Sequence, residues 1–247
     1  MSKPKSIART MSALGALVLL TLLPTQTIKA QSTIFNIPST DVVAPKKVYF
    51  EFDFLSHLAS HQNGGFESYV PRVVVGVAKG VEAGVNVALT DIGGPKLVEI
   101  QPNIKWQFYN SEKNGVTATV GGIAYFPAKQ RAAFGNDNFG FLYANVSKKL
   151  KAMKGARFTG GGYGLVARST GFGTKGGAMV GYEQPLSSKV SFVTDWFSGK
   201  NRFGLLTPGF SIAVSKNSIF NAGYSINNWQ NGGGRANALF LYYGITF

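Results

Sequence analysis

Hydrophobic and polar residues alternate with a period of two along most of the chain after residue 47, which predicts β-strands. In Val48–Phe54 the even positions carry valine and phenylalanine, whereas Glu51 and Asp53 lie on the odd positions. The last segment, Ala236–Phe247, alternates in the same way and ends on the aromatic residue Phe247. A face of phenylalanines opposite a face of carboxylates predicts a sheet with an apolar medium on one side and polar surroundings on the other.

Turn-forming residues divide this region into twelve predicted strands, and the connections between them alternate in length. The long connection Leu55–Ser68, for example, is followed by the short turn Lys79–Gly80. The predicted fold is an all-β, closed, antiparallel up-and-down barrel of about 12 strands, with 10 or 14 as alternatives because Pro102 and Pro208 interrupt two strands. A soluble β-sandwich or propeller is the competing fold. The predicted strands are Val48–Phe54, Tyr69–Ala78, Val81–Leu89, Leu97–Tyr109, Gly115–Tyr125, Phe139–Leu150, Ala156–Ala167, Gly176–Glu183, Val190–Phe197, Phe203–Val214, Ile219–Ile226 and Ala236–Phe247.

The N-terminal region has the layout of an export signal. Residues 1–30 combine a basic start, an apolar run Met11–Leu23 and the small residue Ala30, which predicts a secretory signal peptide that is cleaved after residue 30. The apolar run is shorter than the stretch of about 18 residues that a spanning helix needs. Residues 31–46 are predicted to form an extended periplasmic arm, and residues 47–247 the transmembrane barrel. Strands that cross a membrane must form a closed barrel, because each backbone polar group needs a partner.

Composition agrees with a sheet-rich protein and sets its charge. Charged residues make up 15% of the chain, aromatic residues make up 13%, and glycine occurs 31 times. There is no cysteine, so neither a disulfide framework nor thiol chemistry is available. The net charge is +14, and the excess outside the leader predicts anionic neighbours such as phosphate groups or lipid head groups.

The closing strand with its terminal Phe247, the alternating connections and the leader together resemble bacterial outer-membrane β-barrel proteins of the small porin and transporter kind. The resemblance covers about Val48–Phe247 and rests on architecture, so it carries over no family-specific catalytic motif. It implies insertion in the outer membrane of a Gram-negative bacterium, with Phe247 as part of the signal read by the barrel insertion machinery. It also implies a pore or a binding lumen.

Charged residues on the predicted inward faces are the main candidates for function. They either line a constriction that selects solutes by sign and size, or form an ion-pair network that fills a narrow barrel. A first hairpin centred between His61 and Gln62 places Glu51 opposite Arg72. Glycines on the inward faces favour an open lumen. The candidates are Glu51, Asp53, Arg72, Glu82, Glu99, Lys105, Arg157, Glu183 and Asp195.

Basic residues in the predicted outer loops are candidates for contact with lipopolysaccharide phosphates or for attracting anions to the mouth. The expected partners are outer-membrane lipid, lipopolysaccharide phosphates, the barrel insertion machinery and small solutes, with no nucleic acid. The loop candidates are Lys129, Arg131, Lys175, Lys200, Arg202 and Arg235.

His57 and His61 lie in the first long loop beside Ser56 and Ser60, and this spacing suits either a lipid-acting Ser–His pair or a metal site. A solvated loop is the simpler interpretation, because neither histidine has a defined third partner. The sequence therefore predicts no cofactor, no metal and no enzymatic activity. The predicted function is a channel for passive diffusion of small polar or charged solutes. The alternatives are a closed barrel with a structural or surface-binding role and, less favoured, a lipid-acting enzyme.

Overall fold

The computed structural model describes residues 32–129, 138–166, 173–228 and 237–247, and the leader lies outside these ranges. Twelve antiparallel strands form a closed barrel in which each strand pairs with its neighbours in sequence and β1 pairs with β12. The predicted fold class and strand number are confirmed. The strands are β1 Val48–His57, β2 Phe66–Ala78, β3 Val81–Asp91, β4 Leu97–Ser111, β5 Val116–Lys129, β6 Phe139–Leu150, β7 Ala156–Val166, β8 Gly176–Pro185, β9 Val190–Phe197, β10 Leu205–Ala213, β11 Ser218–Asn227 and β12 Ala238–Thr246.

The barrel has two different ends. The end where β1 begins carries the shorter turns, such as residues 79–80, and is called the turn end here. The other end carries the longer connections, such as residues 58–65 and 198–204, and is called the loop end. In outer-membrane barrels the short turns face the periplasm. The only helices in the described residues that have assigned bounds are the short 3₁₀ turns His61–Asn63 and Lys151–Met153. No described helix is long and apolar enough to cross a membrane.

The terminal residue takes part in closing the barrel at the turn end. Val48 and Phe247 exchange backbone hydrogen bonds, with the Phe247 amide 2.8 Å from the Val48 carbonyl oxygen. Phe52 lies opposite Tyr243 farther along the same ladder. Phe247 is 64% exposed and shares the outward parity of Tyr243. Phe247 therefore lies next to β1 on the outward side of the barrel, whereas its role as an insertion signal stays a prediction.

The outer surface of the barrel carries a belt of apolar side chains, which water solvates poorly. Large hydrophobic side chains such as Phe50, Ile104 and Leu142 are exposed on it. Such an exterior around a polar lumen is the pattern of a barrel in a bacterial outer membrane. Two aromatic residues near strand ends, Tyr125 and Phe203, face inward instead, where they contact each other with ring centroids 5.7 Å apart.

Both strand prolines that made the count less certain fit into continuous ladders. Pro102 lies opposite Val85, and Pro208 lies opposite Thr194. The pairing register of β4 with β5 is the same on either side of Pro102, and that of β10 with β11 is the same on either side of Pro208. Neither proline therefore shifts the register of the ladders on its two sides.

The β1–β12 seam depends on a glycine that makes room for a tyrosine. A Cβ atom at Gly244 would lie 2.1 Å from Tyr49 Oη, and the Tyr49 hydroxyl donates to Glu51. We therefore expect Gly244→Val to lower the free energy of unfolding by about 1–3 kcal/mol through overpacking. The measurement is the urea midpoint of the barrel in detergent, followed by its heat-modified mobility on a gel. Ile245→Val, on the outward face of the same strand, is the control, and equal midpoints for the two variants would contradict this role of Gly244.

Candidate functional site: the plugged lumen

The N-terminal segment 32–44, called the plug here, lies inside the barrel. Ile34, Phe35 and Ile37 are at most 1% exposed. They form one hydrophobic cluster with inward aromatic residues of the wall, such as Phe141 and Tyr242. The plug is linked by hydrogen bonds or ion pairs to nine strands, through Arg72, Glu82, Lys105, Gln107, Asn145, Ser147, Arg157, Asp195, Thr207, Asn221 and Tyr242.

This location corrects the expectation of an arm beneath the barrel. Chain direction explains how the segment enters: the Lys46 amide donates to the Gly76 carbonyl at the turn end, and Pro45 bridges to Gly76. The chain therefore passes into the lumen from the turn end. Apolar side chains and hydrogen-bonding groups of the arm find partners on the inward face that they would lack in water.

Asp195 on β9 holds the tight turn at the centre of the plug. Its Oδ2 accepts the backbone N–H groups of Phe35, Asn36 and Ile37, at 2.9 Å for Phe35 and 2.8 Å for Ile37. Its Oδ1 accepts from the Asn36 side chain, which also donates to Thr207 at 2.7 Å. Hydrogen bonds to a charged acceptor are stronger than neutral ones, so this buried carboxylate is the principal polar anchor of the plug.

Inward glycines form the sockets for the apolar side chains of the plug. A Cβ atom at Gly223 would lie 2.8 Å from the Phe35 ring, and one at Gly209 would lie 2.6 Å from it. A Cβ atom at Gly181 would lie 2.5 Å from an Ile34 methyl group. Sequence reasoning assigned these glycines to an open lumen. The structure shows that the space they leave is filled by the plug.

Glu82 on β3 joins both ends of the plug to the wall. Its Oε1 accepts from the Ser32 hydroxyl at 2.8 Å, and its Oε2 accepts from the Val43 amide at 2.6 Å. Lys105 lies 2.9 Å from the same Oε1 and also donates to the Ser32 carbonyl at 3.0 Å. An ion pair also joins the plug to the wall, with Arg157 Nη1 2.7 Å from Asp41 Oδ2.

The charged candidates all face inward, and the described contacts pair or bind each of them. Arg72 lies opposite Glu51, as predicted, with 3.0 Å between Nη1 and Oε1, and is 3.4 Å from Asp53. Arg157 pairs with Glu183 at 2.8 Å between Nη2 and Oε1. Together with Glu82–Lys105 and the Asp195 anchor, these contacts match the ion-pair network rather than a ring of free charges.

Arg202 was expected at the outer mouth, but its side chain crosses the lumen. It extends from the connection between β9 and β10 to Glu99 on β4, on the opposite side of the barrel, with Nη2 2.8 Å from Oε1. The guanidinium also lies over the Tyr125 ring, 5.1 Å from its centroid. Burial lowers the pKa of Arg202, but the hydrogen bonds and charge of Glu99 outweigh this effect, so the pKa stays above its usual value. The Arg202 guanidinium therefore stays charged, and the Arg202–Glu99 pair is called the crossbar here.

The other basic loop residues divide into two groups. Lys129, Lys175 and Lys200 are exposed at the loop end. Arg131 and Arg235 lie outside the described residues.

The histidines of the first loop have separate partners: His57 Nδ1 is 2.7 Å from the Asn237 carbonyl oxygen, and His61 Nε2 is 3.0 Å from Glu67. Their spacing therefore does not bring the two rings to one shared partner in the described structure.

A cavity of about 160 Å³ remains between the plug and the crossbar. One side, the charged wall, comes from β1–β4 and includes Asp53, Arg72 and Asn103. The facing side, the aromatic wall, includes Phe141 and Phe197. The plug forms part of the lining through residues such as Phe35 and Asn36.

Polar groups of the wall around the plug are incompletely paired. Thr119 Oγ1, Thr159 Oγ1, Asn145 Oδ1 and Asn221 Oδ1 are buried and have no hydrogen-bond partner among the described residues. A buried polar atom without a partner is destabilising, so a permanently filled lumen is more stable with apolar than with polar side chains around the filling. The inward face is thus suited to water as well as to the plug.

No family model and no curated protein match the chain. Among solved structures, the KdgM porin in complex with disordered oligogalacturonate has a TM-score of 0.54 at 8% identity, over 81% of this chain and 99% of that one. The chain has the fold of outer-membrane porins. An outer-membrane channel from Pseudomonas putida F1 has a TM-score of 0.50 at 11% identity, over 83% of this chain and 97% of that one. Outer membrane phospholipase A from Escherichia coli has a TM-score of 0.46 at 9% identity, over 82% of this chain and 92% of that one.

The Asp195 anchor generates a direct test of plug mobility. Asp195→Asn replaces one acceptor oxygen of the side chain by a donor, which cannot accept a hydrogen bond from the plug. The substitution also removes the negative charge. The probe is a cysteine introduced by Asn36→Cys, whose reaction with a water-soluble maleimide reports exposure of the plug. We expect this reaction to be at least about tenfold faster when Asp195→Asn is also present, because each hydrogen bond to a charged group contributes about 1.5–3 kcal/mol. Labelling rates in outer-membrane vesicles measure the effect, and the natural absence of cysteine keeps the signal specific. Asp91→Asn, at the loop end of β3, is the control; equal rates in the two backgrounds would refute the anchor.

Proposed function

We propose that this protein is a gated outer-membrane channel for small polar solutes, closed in this conformation by the plug and by the crossbar. The observation that carries the proposal is the polar, glycine-containing wall behind the plug. If the plug leaves, this wall becomes the lining of a water-compatible passage. The fold shared with the KdgM porin and with the Pseudomonas putida channel supports a channel role in general, but not a particular solute.

The plug is separable from the barrel wall. All twelve strand pairs of the barrel, including β1 with β12, form without a strand from the plug. In the described structure, backbone hydrogen bonds and a β-bridge join residues 45–47 of the arm to Gly76, whereas the plug itself is held mainly by side chains of the wall. Movement of the plug therefore needs no break in the barrel ladder.

The closed state is favoured by the contacts that release would break. Ile34, Phe35 and Ile37 would lose a buried environment, and Asp195, Glu82 and Arg157 would lose partners. Water replaces the polar contacts but not the apolar ones, so opening remains a minor population. We therefore expect short, infrequent openings rather than the steady conductance of a wide porin.

Selection in this channel rests on size and polarity more than on sign. Arg72, Lys105 and Arg157 each have a carboxylate partner in the described structure. A neutralised pair exerts a weaker field on a passing ion than a free charge does. Twelve strands also enclose a lumen narrower than that of porins with 16 or more strands.

The outer partners remain proposals. Lys129, Lys175 and Lys200 extend from the loop end, where lipopolysaccharide phosphates would meet them. Arg202 is removed from this set because its side chain is engaged by Glu99. The insertion machinery is proposed to recognise the β12 terminus through Phe247.

A disulfide that fixes the plug tests the proposal. Asn36 Nδ2 and Thr207 Oγ1 are 2.7 Å apart. Because the chain has no natural cysteine, Asn36→Cys with Thr207→Cys introduces a single pair that can link the plug to the wall. We expect the oxidised variant in planar bilayers to show no openings and the reduced variant to open more often than the unmodified protein, because reduction leaves the plug without the Asn36 side-chain contacts.

The matched control links wall to wall. Thr207 and Ser225 hydroxyl oxygens are 2.8 Å apart on β10 and β11, so Thr207→Cys with Ser225→Cys shares one position with the test pair and leaves the plug free. Oxidation of this pair should not abolish conductance steps. A folded, heat-modifiable barrel that never conducts, even after reduction of the first pair, would favour the closed structural or surface-binding role.

A further inference from the structure

We propose that the cavity between the plug and the crossbar is a binding site for one uncharged, polyhydroxylated six-membered ring, such as a hexose. This inference rests on the proposed channel function, since the site lies on the route through the lumen. The binding itself needs no conduction, so the two ideas can be tested separately.

Size limits the ligand to one ring. The cavity measures about 160 Å³. An engineered cavity of about 150 Å³ holds a benzene ring, so this space has the size of a site for a single six-membered ring. The plug forms one boundary through residues such as Phe35 and Asn36, and Arg202 contributes at the crossbar.

One wall of the cavity is aromatic and the other is polar, and a sugar ring has both an apolar face and a polar edge. Phe141, Tyr143 and Phe197 line the aromatic wall and offer apolar surface to the C–H face of a ring. Asn103 and Gln101 line the charged wall and offer amide groups to hydroxyls at the ring edge. A purely apolar ligand would leave these amides facing a group that accepts no hydrogen bond, which is unfavourable.

A hydrogen-bonded row of amides leads along the charged wall to the crossbar. Asn103 donates to Asn86 at 3.1 Å, Asn86 donates to Gln101 at 3.2 Å, and Gln101 donates to Glu99 at 2.8 Å. Each amide is thereby held in one orientation, with oxygen lone pairs still available to a ligand hydroxyl. The row presents a fixed pattern of polar groups rather than a set of mobile side chains.

Asp53 and Arg72 supply the observation that points to a hydroxyl. Both line the cavity, and Asp53 is 3% exposed. Its Oδ1 has no hydrogen-bond partner among the described residues, and neither has Arg72 Nε. A hydroxyl group both donates and accepts, so one ligand O–H can donate to Asp53 Oδ1 while a ligand oxygen accepts from Arg72 Nε.

The charge balance argues against an anionic ligand. The cations that line the cavity are Arg72, Lys105 and Arg202, and each is paired with a carboxylate: Glu51, Glu82 and Glu99 respectively. Asp53 adds a fourth carboxylate, so an anionic sugar meets no uncompensated positive charge. Desolvation of a charged ligand without a partner is unfavourable in such a site.

Saturation-transfer NMR on the full mature protein in deuterated detergent tests the site with D-glucose, D-galacturonate, D-glucosamine and cyclohexanol as probes. We expect transfer to the glucose ring protons, with weaker signals from the two charged sugars and from cyclohexanol. Ala88 lines the cavity, so Ala88→Leu should fill it and abolish the glucose signal. Asp53→Asn, which removes a charged acceptor, should weaken glucose binding about tenfold.

The matched control is Ala144→Leu, the same substitution on an exposed, outward position of β6, which should leave the glucose signal unchanged. Stronger binding of galacturonate than of glucose would overturn the uncharged assignment. Equal binding of cyclohexanol would overturn recognition of hydroxyls. Absence of a glucose signal, or its persistence in Ala88→Leu, would overturn the site. None of these results alters the cysteine-lock experiment, which reports on the channel alone.

Discussion

One buried carboxylate organises the interior of this barrel. Asp195 accepts three backbone N–H groups from the turn Phe35–Ile37, and these buried donors would otherwise lose their acceptor. Backbone donors buried without partners are strongly unfavourable, so the plug turn is stable inside the lumen only where such an acceptor is present. The position of Asp195 thereby places the Phe35 ring against Gly209 and Gly223. It also helps to place the plug surface that borders the cavity.

The same interior solves a problem of charge. Carboxylates and bases on inward faces are buried deeply enough that an unpaired charge would destabilise the protein. The described contacts pair them along the wall, as in Glu51–Arg72, between wall and plug, as in Arg157–Asp41, and across the lumen, as in Arg202–Glu99. These geometries have different consequences. A wall pair such as Glu51–Arg72 does not involve the plug, whereas Arg157 contacts both Asp41 of the plug and Glu183 of the wall.

Closure at two levels distinguishes this lumen from a simple pore. The plug occupies the lumen from the turn end, and the crossbar spans it nearer the loop end, with the cavity between them. Each obstruction is bonded to a different part of the wall: the plug chiefly through Asp195 and Glu82, and the crossbar through Glu99. The amide row reaches Glu99 from the cavity, so a bound ligand would lie one hydrogen bond away from the crossbar acceptor.

The sequence by itself determined the strands, their number and the inward position of the charged strand residues, because a period of two is a local property and lipid on one side enforces it. It also predicted the Glu51–Arg72 pair, since a hairpin register follows from the loop between two adjacent strands. Only the tertiary structure decided what fills the lumen. The plug contacts residues more than 100 positions away, such as Asn145 and Asp195, and no local pattern encodes that encounter. Inward glycines are compatible equally with empty space and with a socket for Phe35, and Arg202 is compatible equally with solvent and with Glu99. These alternatives are distinguished only when the closed barrel brings distant side chains together.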